Sequence, residues 1–71
     1  MNGSIVRIFF DQGYGFLQDA ASGTDYFFHR SGVVGGGFDA LRIGDAVTYD
    51  LDPAATKGPR ARTVQKIVRR G

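Results

Sequence analysis

The chain has 71 residues, a net charge of +2, no cysteine and a single histidine. A domain of that size buries about 60% of its unfolded surface and is marginally stable, so one domain is the upper bound. The composition excludes a disulfide framework, a thiolate metal site and a multi-histidine zinc site, and no apolar run is long enough to form a membrane-spanning helix.

No basic-then-apolar leader pattern opens the chain, which reads as cytosolic. All seven acids are aspartates and the last is Asp52; beyond it lie Lys57, Arg60, Arg62, Lys66, Arg69 and Arg70. This basic third reads either as a phosphate-facing surface or as a solvated tail.

In chain order, Ile5 to Phe10 is β-branched and aromatic and predicts a first strand. Asp11-Gln12-Gly13 predicts a turn, and Tyr14 to Gln18 a second strand. Ala20 to Thr24, centred on Ser22-Gly23, predicts a hairpin loop, followed by a third strand at Asp25 to His29. Ser31 to Asp39 holds Gly35-Gly36-Gly37 and reads as too glycine-rich for a regular element. Ala46 to Leu51 is a fourth strand, and Asp52 to Pro59 a loop. Arg60 to Val68 alternates imperfectly and makes a fifth strand.

Five short antiparallel strands with a long connection between the third and fourth predict an all-β, five-stranded Greek-key barrel of the OB-fold type. The whole chain, 1–71, is one domain, with its basic end at 66–71 expected to fray. Alternation assigns Ile5, Leu17, Phe28, Leu41, Val47, Tyr49 and Val64 to the interior. The strand edge near Tyr49 to Leu51 offers a route to a strand-exchanged dimer; otherwise a monomer is expected.

Residues two apart in a strand share a face. Tyr14 and Phe16 therefore point together, as do Phe27 and His29, while Leu17 and Phe28 take the opposite, inward parity. Any one of these rings, taken alone, is better explained by a structural role, usually burial. Rings on adjacent strands, spaced by Gly13 and Gly15 and attended by arginines, instead form a surface on which bases could stack.

At Gly13-Tyr14-Gly15-Phe16-Leu17 and Asp25-Tyr26-Phe27-Phe28-His29-Arg30-Ser31 the chain resembles bacterial cold-shock domains. The likeness extends through Gly35-Gly36-Gly37-Phe38, Leu41 to Val47 and Lys57-Gly58-Pro59-Arg60-Ala61. That family pairs a K-G-[FY]-G-F-I motif with a V-F-V-H-[FY] motif on neighbouring strands. Here Arg7-Ile8-Phe9 stands where the family usually has basic-Trp-Phe, Gln12 replaces a lysine, and Arg30 replaces an aromatic.

The resemblance implies a five-stranded barrel that binds single-stranded RNA and single-stranded DNA with little sequence demand, acting as an RNA chaperone and as a regulator of transcription or translation. Carried over residue by residue, it implies stacking by Tyr14, Phe16, Phe27 and His29, with Phe38 closing over a base and Phe9 on the ligand face. Phe10 is left to a rim. Ile8 offers contact area without a stacking face. Arg30 can stack or pair with phosphate. Arg7, Lys57, Arg60 and Arg62 are the expected phosphate contacts, each equally readable as surface charge. Asp25 shares the parity of Phe27 and could accept from a base edge, or simply end the preceding loop.

Three rival classes remain at this level. A helix-backed RNA-binding module has similar aromatic motifs, but in the reverse order. An RNA-cleaving enzyme would need Asp25 and His29 as a general-base pair, and the chain lacks a second histidine, a nucleophilic cysteine and a phosphate-cradling G-x-x-x-x-G-K-[ST] loop. A small β-barrel protein-interaction module would use its aromatic groove for proline-rich peptides, usually with tryptophan, which is absent here. No catalytic residue, metal or cofactor is called for.

Overall fold

The computed structural model describes residues 1–34, 37–54 and 58–67. Lys57, Arg69 and Arg70 lie outside the described residues, as do Gly35 and Gly36. Strands β1 (Asn2–Phe9), β2 (Tyr14–Asp19) and β3 (Asp25–His29) form an antiparallel meander. The chain continues through β4 (Val33–Val34), β5 (Ala46–Leu51) and β6 (Ala61–Lys66). The order across the sheet is β3-β2-β1-β5-β6-β4. A fourth long strand that returns beside the first of a meander is a Greek key. Among the described residues, a parallel bridge joins Phe27 of the edge strand β3 to Arg60, the residue just before β6, and curls the sheet into a partly closed barrel.

Two features differ from the sequence expectation. The connection after β3 is partly regular: 3-10 turns at Arg30–Gly32 and Phe38–Ala40 flank β4. And the closing contacts are parallel: β4 pairs with β6, and Phe27 with Arg60 just before it, in that sense. The two residues of β4 are too few to carry a period.

The seven residues assigned to the interior are all buried, and Phe38 and Ala61 join them. Each large apolar side chain buried contributes roughly 1.5–3 kcal/mol. Two bulges set which side chains reach this core. In β1 the register slips between Ile5 and Arg7, leaving Val6 as the extra residue. In the β5–β6 pair it slips again beside Thr63, whose φ of 53° is left-handed, an uncommon conformation for a β-branched residue. That second bulge lets both Ala61 and Val64 point inward although they are three apart.

β5 lies between β1 and β6, so Tyr49 is not on a free edge. The N-terminal ammonium of Met1 donates to its carbonyl at 3.0 Å, and its own N–H donates to the Met1 carbonyl at 2.9 Å. Inside, the Tyr49 hydroxyl donates to Asp19 Oδ1 at 2.6 Å. Asp19 Oδ2 accepts from the backbone N–H groups of Ala21 and Ser22 and from the Ser22 hydroxyl. One carboxylate thereby shapes the β2–β3 loop and ties it to β5. The hydrogen bond from Tyr49 and those from the loop hold the Asp19 carboxyl down at about 2. Burial first, then the hydrogen bond to Asp19 and the charge of that carboxylate, push the Tyr49 phenol upward.

Candidate nucleic-acid interface

The outward face of β1–β3 carries two rows of side chains set directly opposite one another across the strands. Arg7, Phe16 and Phe27 make one row, and Phe9, Tyr14 and His29 the other. The core residues Ile5, Leu17 and Phe28 occupy the other side of the same strands. Phe16 and Phe27, like Tyr14 and His29, are half-buried rather than sealed.

The rings touch one another. Phe9 and Tyr14 lie 5.0 Å apart at 35°, and Tyr14 and Phe27 lie 5.4 Å apart at 32°. The first pair is directly opposite across β1 and β2, so its separation follows the strand spacing of about 4.8 Å, whereas Tyr14 and Phe27 meet diagonally between the two rows. Phe16 sets its edge towards both Tyr14, at 6.2 Å, and Phe27, at 5.8 Å. Offset and edge-on arrangements suit the ring quadrupole and leave part of each face open. The sheet beneath is thin at Gly15, where a Cβ would come within 2.7 Å of the Arg7 carbonyl and 2.9 Å of the Phe28 ring. Glycine there allows Phe28 to fill the core directly under the ring surface.

Cations stand at both ends of the first row. Arg7 lines a shallow depression with Phe16 and Asp25. At the other end the Arg60 guanidinium carbon sits over the Phe27 ring, 5.4 Å from its centroid. His29 is oriented by Ser31, whose backbone N–H donates to Nδ1 at 3.1 Å and whose hydroxyl lies 2.9 Å from the same atom. In the neutral ring this leaves Nε2–H as the outward donor. Ser31 escaped the sequence reading; a serine two residues after a histidine is the local signal that could have revealed it.

Not every expected residue reaches this surface. Ile8 does not: the Val6 bulge reverses the alternation, so Ile8 stands opposite Gly15 and packs against the core. Phe38 does not either. It is 7% exposed and sets its edge against Phe28, having turned inward at the 3-10 turn that begins there. Phe10, opposite in direction to Phe9, meets Phe38 edge-on at the rim, with Arg42 over its ring. Arg30 lies along Gly13, at the end of the second row. Arg62 is an exposed residue of β6, paired in register with Asp50 of β5. Asp25 and His29 share a face, but four residues of strand separate them by about 13 Å, too far for a general-base pair.

The sequence of this surface and its barrel matches the 'Cold-shock' DNA-binding domain family model over residues 1–67. The chain belongs to the cold-shock domain family. It is similar to cold shock protein 2 of Lactiplantibacillus plantarum, with 39% identity over 64 residues covering 90% of this chain and 94% of that protein. It is also similar to a cold shock-like protein of Aquifex aeolicus, at 38% over 57 residues and 80% of each chain. A third relative, the cold shock-like protein CspB of Bacillus cereus, is 33% identical over 67 residues, covering 94% of this chain and all of that one. The protein is thus a nucleic-acid-binding cold-shock domain and not an enzyme. Among the described residues no helix is long and apolar enough to cross a membrane.

Proposed function

We propose that this cold-shock domain binds single-stranded RNA and single-stranded DNA by stacking unpaired bases on Phe9, Tyr14, Phe16, Phe27 and His29. The observation that carries the proposal is a ring cluster left half-open on one side of a sheet whose other side is already filled by the core. Bases in a duplex are stacked on one another, so the rings engage only those that have left the stack. Each stacked base contributes roughly 1–3 kcal/mol, with little regard to identity, because every base has a π face. Binding of open strands melts weak secondary structure by mass action, which is the physical basis of RNA chaperone action and of regulation of transcription or translation in the cytoplasm.

Arg7 and Arg60 flank the rings as phosphate contacts, with Arg30 beside His29 and Asp25 facing a base edge. Arg62 supplies further positive charge from the last strand, and Lys57, outside the described residues, is a further phosphate contact in this reading. Titration of hexathymidine against a matched duplex, followed by tyrosine fluorescence, tests the reading. A marked single-strand preference is expected; equal affinity for both ligands would overturn it.

A further inference from the structure

Among the described residues, Arg60 is the arginine whose guanidinium stands over a ring of this face. Arg42 is pinned, its Nη1 donating to the carbonyls of Asp39 and Leu41 at 2.9 and 2.8 Å. Arg30 is laid along Gly13. Arg60 forms no ion pair among the described residues, and its guanidinium rests on Phe27. Its backbone, by contrast, is fixed. It follows Pro59, it bridges to Phe27, and its carbonyl accepts from the Asp52 N–H at 2.7 Å. The side chain can move, but its root cannot leave the edge of Phe27.

A base placed on that face of Phe27 needs the space the guanidinium now fills. Stacked planes sit roughly 3.5 Å apart at carbon contact. A base between ring and guanidinium therefore asks for a separation of about 7 Å, against the 5.4 Å observed. Small torsional changes along a long side chain provide the difference. A guanidinium is flat, weakly hydrated and stacks on aromatic planes, so it gains by resting on the base instead of the ring.

We infer that Arg60 is the upper jaw of a base clamp: one unpaired nucleobase of a single strand is held between the Phe27 ring and the Arg60 plane. The inference rests on the stacking reading above and gives Arg60 a role that charge alone does not supply.

The variant Arg60→Lys separates plane from charge. With hexathymidine across a salt series, it is expected to keep the wild-type log–log slope while binding about 5- to 30-fold more weakly, the loss of one stacked plane. Arg60→Ala is expected to lose more affinity than Arg60→Lys and also to flatten the slope by about 0.7. In a Phe27→Ala background, Arg60→Lys should change affinity by less than about twofold, because the lower jaw is gone. Thermal melts establish that each variant is folded. Wild-type affinity in Arg60→Lys, or tighter binding in Arg60→Ala, would overturn the clamp while leaving the stacking reading intact. Equal wild-type affinity for hexathymidine and for an abasic hexamer would remove both.

Discussion

Phe27 and Phe38 are both phenylalanines in one small barrel, and the structure gives them different surroundings. Phe38 is 7% exposed and packs on Phe28 within the core. Truncating a buried phenylalanine to alanine destabilises by about 3–5 kcal/mol, through lost burial and the cavity left behind. A domain of this length has roughly 4–10 kcal/mol in total. Phe38→Ala should therefore lower the melting temperature by on the order of 20 °C. Phe27 is half-open, and its neighbours Tyr14, Phe16 and Arg60 remain when it goes. Its ring contacts are worth about 1–2 kcal/mol together, so Phe27→Ala should melt only about 5–10 °C lower. Binding should reverse the ranking. Phe27→Ala is expected to weaken hexathymidine by about 5- to 150-fold. Phe38→Leu keeps an apolar side chain in the core and should bind within about twofold of wild type. Thermal melts followed by circular dichroism, with fluorescence titrations at 15 °C, supply both rankings. If Phe27→Ala unfolds the domain while Phe38→Leu abolishes binding, the assignment of faces is wrong.

Other outcomes follow from the same geometry. Gly15→Ala forces a Cβ against the Arg7 carbonyl and the Phe28 ring, and should destabilise by about 1–3 kcal/mol in urea titrations; an unchanged midpoint would show that the sheet has slack there. Asp19 titrates at about 2 in the folded chain against an ordinary 3.8. Its contribution is therefore complete above pH 3.8 and is lost as pH falls from there towards 2. The urea midpoints of wild type and Asp19→Asn should converge over that interval, and a constant difference from pH 5 to pH 2 would refute the bond network. Few cations stand at the rings, so a salt titration of hexathymidine should give a log–log slope of about −1.5 to −2; a slope steeper than about −5 would show that phosphate contacts dominate.

Alternation in β2, β3 and β5 told the two faces apart without coordinates, because Leu17, Phe28, Val47 and Tyr49 each sit between residues of opposite exposure. The ring surface was legible for the same reason. What the sequence hid is where alternation fails. Nothing in the residue type of Val6 marks it as a bulge, yet that bulge turns Ile8 to the core and brings Arg7 and Phe9 to the ring face. The direction of Phe38 after Gly37 depends on a backbone whose φ is 85°, which glycine permits but does not signal. The bond between Asp19 and Tyr49 joins residues 30 apart in the chain, and only the Greek-key return of β5 brings them together.

Hexathymidine and an abasic hexamer of the same length carry the same phosphates and differ only in bases. Measured side by side at 0.1 M salt, the stacking account predicts that removing the bases weakens binding by at least about 100-fold. Affinities within about threefold of each other would mean that the protein holds the backbone alone, and that the open rings of β1–β3 have another purpose.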